Sequence, residues 1–137
     1  MNFAGMNILA IVIAAAAGFA FGAAYYMSLS RQWLAAAGKT KEDIAGKRSV
    51  TPFIVSIVAL VVMAWVLAGT VGHLGAGQVT LKNGIISALF LWLGFVATTV
   101  AVNNAFGGRK PMLSIIDGIH WLGVLVIQGA IIGAMGV

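Results

Sequence analysis

The chain of 137 residues has no cysteine, only three acidic residues and only two prolines. Without cysteine there can be no disulfide, thiolate metal site, iron–sulfur cluster or cysteine nucleophile, and no redox compartment can be inferred. Charge is scarce as well: 8% of the residues are charged, against roughly a quarter in an ordinary globular domain. A chain so poor in charge cannot cover itself for water, so its exterior must meet something apolar. Two histidines and three acids are a poor basis for a protein metal site. The glycine-rich stretch Gly72-His73-Leu74-Gly75-Ala76-Gly77 lacks both the preceding strand and the Lys-Ser/Thr ending of a phosphate loop, and His73 reads as a solvated loop residue. No serine stands in the context of a Ser–His–Asp triad, so nothing requires an enzyme and no cofactor is evident.

What is abundant is apolar: 61% of the chain is hydrophobic and the mean hydropathy is +1.05. Four runs are long enough to span roughly 30 Å of hydrocarbon as helices. They cover about residues 7–26, 53–71, 83–102 and 113–135, and Asp117 is the one carboxylate within them. The expected fold is an all-α integral membrane protein, a single domain over residues 1–137 with four transmembrane helices in one bundle. A cleavable signal peptide is the alternative for the first run. Against it, no Lys or Arg precedes Asn7 and the run exceeds a typical signal core. Local chemistry marks several boundaries. Thr51-Pro52 offers a cap and a first-turn proline, Gly107-Gly108 can end the third helix, and Pro111 can open the fourth. Thr40 to Asp43 has capping-box spacing, with Gly46 as a stop, which predicts a short surface helix in the first loop and Trp33 at headgroup depth.

The net charge of +5 is placed for topology. Arg31, Lys39, Lys41, Lys47 and Arg48 lie between the first two spans, Arg109 and Lys110 between the last two, and Lys82 alone in the remaining loop. Basic loops stay cytoplasmic, so both termini are expected on the extracytoplasmic side, with anionic lipid headgroups met by the basic loops. No basic stripe accompanies a soluble fold, which argues against nucleic acid as a partner.

Small and polar residues mark the faces. Ala10, Ala14, Gly18 and Gly22 form one ridge on the first helix, and Gly129 and Gly133 repeat the spacing on the fourth. Such ridges pack helices closely within one subunit, or between subunits at a dimer seam. Asp117, His120, Val124 and Gln128 fall within about 80° of arc on the fourth helix. An ionisable group facing lipid costs at least ~2.5 kcal/mol, so this stripe should face the bundle interior or a cavity. Asp117 and His120 are three residues apart and can pair. Thr98, Thr99, Asn103 and Asn104 on the third helix are the expected partners at the same depth. The cluster is read as a polar lock fixing helix register, with a proton or cation relay as the alternative. Trp65, Trp92 and Trp121 read as packing residues, with a pigment or quinone contact as the alternative.

Three stretches carry a family likeness: Phe21-Gly22-Ala23-Ala24-Tyr25-Tyr26 leading to Trp33, Leu91-Trp92-Leu93-Gly94-Phe95 with Thr98-Thr99, and Ile119-His120-Trp121-Leu122. Together they resemble the small bacterial membrane family catalogued as domain of unknown function 1761, over nearly the whole chain. Where that family usually has an aromatic residue before the histidine, Ile119 stands here. The resemblance implies four membrane helices in a bacterial inner membrane and no established activity. The expected role is therefore a structural or accessory subunit, packing in a homo-oligomer or with other membrane subunits. The alternative is a small oligomeric transporter or channel built on Asp117 and His120. The first helix lacks the carboxylate that small multidrug-resistance exporters place there.

Overall fold

A bilayer offers no hydrogen-bond partners, so a backbone crossing it must satisfy its own amides, and a helix does so residue by residue. The computed structural model describes residues 6–46 and 49–137. Helix α1 spans Ile8–Ser28, α4 Thr51–Gly72 and α7 Pro111–Met135. Between α4 and α7, helix α5 (Leu81–Leu91), a π-helical segment (Trp92–Ala97) and α6 (Thr98–Phe106) form one continuous rod. All four rods are long and apolar enough to cross a membrane. They overlay the expected spans and run past most of their ends, farthest at Phe106. Two short helices, α2 (Ser30–Ala37) and α3 (Lys41–Ala45), occupy the first loop. Lys47 and Arg48, two of the basic residues counted there, lie outside the described residues.

The ends are set locally. Asn7 caps α1 by accepting from the Ala10 N–H at 3.0 Å, and its amide donates to the Met135 carbonyl at the far end of α7. Thr40 and Asp43 form a reciprocal capping box on α3. Thr80 caps α5 by accepting from the Asn83 N–H. Thr51, expected to cap α4, is instead its first residue, and Val50 occupies the cap position without a side-chain bond. Pro52 lies in the first turn of α4 and Pro111 in that of α7, where a missing N–H costs nothing. Gly107 closes α6, and Gly108 follows at φ +64°, a conformation that favours glycine.

Helix α7 is the hub, packed against α1, α4 and the whole α5–π–α6 rod. The main apolar core gathers Ile11 and Ala14 from α1, Leu67 and Val71 from α4, Ala88 from α5 and Ile132 from α7. The outer face of α4, including Ile54, Val58 and Val62, is exposed, as suits a surface in hydrocarbon. The closest approach is α5 on α7. A Cβ built on Gly84 would meet the Gly129 carbonyl oxygen at 2.0 Å, and one on Gly133 would meet that of Thr80 at 2.3 Å. Glycine is required here because backbone lies on backbone. Gly129 and Gly133 therefore sit in a seam within one chain, opposite a glycine, Gly84, that the spacing patterns did not single out. On α1, Ala10 and Ala14 are buried and Gly18 faces Leu60 and Val124.

The Lys110 ammonium donates to the Ala35 carbonyl at 3.0 Å, tying the last loop to α2. Both basic loops thus sit at the end of the bundle where α1 finishes and α7 begins. Lys82 belongs to the first turn of α5, at the other end.

Candidate functional site

Around α7 several buried and half-buried polar groups are joined helix to helix. The Tyr26 hydroxyl donates to Asp117 Oδ1 at 2.7 Å, and the adjacent Tyr25 hydroxyl to the Ile116 carbonyl at 2.7 Å. From the third rod, Trp92 Nε1 donates to the Gly118 carbonyl at 2.8 Å. Gln128, wholly buried, donates through Nε2 to the Leu60 carbonyl of α4 at 3.0 Å. Each neighbour of α7 is thereby fixed to it by at least one directional bond. In an apolar medium such bonds specify rotation and depth better than contact between aliphatic side chains.

The partners are not those expected. Thr98, Thr99 and Asn103 are exposed on the outer side of the third rod. The Thr98 hydroxyl returns to the Gly94 carbonyl at 2.9 Å and that of Thr99 to the Phe95 carbonyl, so both serve their own helix. None joins Asp117 or His120. Asn104 does reach α7, donating to Ser114 Oγ at 3.1 Å. The expectation rested on shared depth, which does not fix the face a residue occupies. The π-helical segment adds to this, since a wide turn resets the angular phase of everything after it by about one residue's rotation, roughly 100°. The third rod instead supplies Trp92, at the point where its turns widen. Nothing in the sequence signals that widening.

His120 is different from its neighbours. It is only 7% exposed and makes no hydrogen bond among the described residues, and its Nδ1 is buried without a partner. The expected pairing with Asp117 is not made, because the carboxylate takes the Tyr26 hydroxyl and the imidazole sits among rings. Its centroid lies 4.7 Å from Tyr26, 5.6 Å from Tyr25 and 6.2 Å from Phe21, the last nearly parallel, with Trp121 edge-on at 4.7 Å. A Cβ on Gly22 would lie 2.8 Å from His120 Nε2. Gly22 thus makes room for the imidazole edge, a different task from the backbone contact at Gly129. The aromatic partners of His120 were missed, although Phe21 and Tyr25 recur one turn apart on one face of α1 with Tyr26 next to them. That recurrence was the available signal.

His120 and Gly22 line a cleft of about 660 Å³ between α1, α4 and α7. Gly18, Leu60 and His120 form its buried floor, and Met27 and Phe53 its exposed rim. Toward the basic end a second hollow of about 450 Å³ shares Tyr26 and Ser30 with the first and is lined by Trp33 and Lys41.

Set against known proteins, residues 9–133 match the model of a family described as a protein of unknown function, DUF1761. No curated protein and no solved structure matches the chain.

Proposed function

The chain belongs to the DUF1761 family of proteins of unknown function, and from its geometry we propose that it is a non-catalytic membrane subunit that works by packing, its buried polar groups serving as interhelical locks. The observation that carries this reading is the Asp117 carboxylate held by the Tyr26 hydroxyl at 2.7 Å. A carboxylate bound to a phenol of another helix fixes that helix, whereas a relay needs it open to water or a second titrating group. Thr98, Thr99 and Asn103 face outward and bring Asp117 no further polar partner. The seal beyond Gln128 supports the same conclusion. There Gly84 meets Gly129, and Thr80 meets Gly133, backbone to backbone, which leaves no space between α5 and α7 for a file of water. Packing against a second copy or against other membrane subunits is the proposed use of the bundle, in the inner membrane of a cell. We infer that both termini lie on the extracytoplasmic side. The clustering of both basic loops at one end supports this orientation.

The test pairs two measurements on Asp117→Asn. Asparagine retains an acceptor for Tyr26, so the variant should extract in mild detergent with the parent's intact mass. In liposomes neither protein should move protons or cations above the empty-vesicle rate. Flux in the parent that disappears in an intact Asp117→Asn assembly would replace the lock with a transporter.

A further inference from the structure

One group has no place in the network of locks: His120, more than nine-tenths buried, unbonded, and on the floor of a cleft that opens at the protein surface. Leaving a polar side chain unpaired in an apolar interior is costly. Such a group invites the question of what completes it.

The two ring nitrogens are in different situations. Nδ1 is sealed from any solvent or ligand. An unfilled buried acceptor is more tolerable than a buried N–H with nothing to donate to. A single imidazole proton is therefore assigned to Nε2, which lies beside the bare Cα of Gly22 where both residues border the cleft. The floor accordingly presents one N–H donor to a space whose only other polar lining side chains, besides the engaged Tyr26 hydroxyl, are the hydroxyls of Ser30 and Ser56. The walls are aromatic faces: Phe19, Tyr26, Phe53 and Trp121, with the Tyr26 hydroxyl already engaged by Asp117. Faces of this kind receive a flat ring by offset stacking. The opening lies between Met27, 77% exposed, and Phe53, 61% exposed, at the ends of α1 and α4 that border the first loop. Its apolar rim suits a ligand that partitions into the bilayer. The volume, about 660 Å³, falls within the roughly 300–1,000 Å³ of small-molecule sites.

We propose that this cleft binds a membrane-soluble quinone, its ring between the aromatic walls and one carbonyl oxygen accepting from His120 Nε2, with the apolar tail leaving past Met27 and Phe53. An acyl chain is the other apolar molecule that fits the opening, but it has no acceptor for Nε2 and leaves the imidazole as unpaired as before. A hydrogen-bond donor at the end of an aromatic slot selects a carbonyl-bearing ring. No electron transfer is part of this assignment, which concerns binding alone.

The test uses the purified full chain in detergent, titrated with decylubiquinone while tryptophan fluorescence is read. Trp121 on the cleft wall should be quenched saturably at one quinone per chain. Decylbenzene, with the same tail and no carbonyl, should displace the quinone only at about tenfold or greater excess. His120→Phe preserves a ring and removes the donor. It should weaken quinone about tenfold and leave the decylbenzene affinity unchanged. Should that variant fail to fold, Ser56→Trp decides instead. Ser56 lines the cleft on α4 and bonds only its own helix at Pro52, so a tryptophan there fills the space without opening the core, and should abolish binding of both compounds. Quenching that rises linearly without saturation, equal affinity for the two compounds, or parental quinone binding in folded His120→Phe or Ser56→Trp each overturns the assignment. So does a phospholipid that occupies the cleft and is not displaced. These readouts are independent of ion flux, so failure of the quinone site and failure of the lock at Asp117 are told apart.

Discussion

The seam between α5 and α7 is where a single methyl group should do the most damage. Replacing Gly129 by alanine puts a Cβ 2.3 Å from the Gly84 carbonyl oxygen, 2.9 Å from its carbon and 3.0 Å from the Ala88 Cβ. The first two neighbours are backbone and cannot rotate aside. Ordinary contact begins near 3.4 Å, so the two helices must separate by roughly 1 Å along the seam. Gly133→Ala meets the Thr80 carbonyl at the same 2.3 Å and demands a similar separation. In hydrocarbon no hydrophobic force presses helices together, and close van der Waals packing is what holds them. Opening the seam forfeits a good part of that attraction along the adjoining turns, since a gap of even 0.5–1 Å loses about a quarter to a half of each contact. Overpacking of this kind costs about 1–3 kcal/mol. The upper end is expected here, because two rigid backbones oppose each other. Gly118 is the internal control: it lies on the same helix, is buried, and a Cβ there meets nothing within 4 Å. Gly118→Ala should be neutral, or stabilising by up to about 1 kcal/mol through lost freedom of the unfolded chain. Reversible unfolding in mixed detergent and SDS micelles, followed by tryptophan fluorescence, separates the two classes of variant. If Gly129→Ala and Gly133→Ala unfold at the same SDS fraction as Gly118→Ala, the seam is not close-packed and the reasoning fails.

Three further expectations are open to measurement. Cysteines placed at Lys41 and His73 should react oppositely with an impermeant reagent in intact cells, His73 at once and Lys41 only after permeabilisation; the reverse pattern would invert the topology. Trp92→Phe removes the donor to the Gly118 carbonyl while keeping most of the ring, and should cost about 0.6–1.7 kcal/mol in the same SDS titration, with a zero effect arguing against the bond. In the exposed helix α3, the Thr40 backbone N–H, then its hydroxyl, hold the Asp43 carboxyl below its ordinary value of 3.8, with a smaller contribution from Lys39. A depressed folded-state value means the cap is fully present above the ordinary value and is lost as pH falls through the lowered one, so amide protection in α3, taken relative to the intrinsic exchange rate at each pH, should fall in acid below about pH 4. Thr40→Ala should remove most of that change, and protection in α3 that stays constant with pH in the parent would count against the capping box.

Parts of the site lay within reach of the sequence and parts did not, for reasons visible in individual residues. Asp117, His120 and Gln128 share an arc because α7 is a regular helix and 3.6-residue periodicity holds along its whole length. That an arc carrying such groups turns away from lipid follows from the cost of exposing them. Thr98 and Asn103 were expected from depth alone, which leaves their face open, and the π-helical turns of Trp92–Ala97 shift the angular phase of the residues beyond them. Tyr26 as the partner of Asp117 was out of reach for another reason. Its hydroxyl meets the carboxylate only because α1 and α7 run antiparallel at one particular offset, and no local rule sets an offset between helices. Glycine spacing likewise named Gly129 and Gly133 but not Gly84, whose role exists only opposite them.

The sequence by itself determined that this is a protein of four membrane-spanning helices. Hydrocarbon about 30 Å thick demands apolar runs near twenty residues and a backbone that satisfies itself, and both conditions can be read from consecutive residues. It also determined the first-turn prolines and the capping box of α3, which depend on neighbours a few positions away. The tertiary structure alone decided which polar group meets which, where backbones touch, and that His120 is left facing an aromatic-walled cleft. Those outcomes depend on the rotation and offset of whole helices against one another. A side chain's place along its own helix fixes its face; only the neighbouring helix fixes what that face meets.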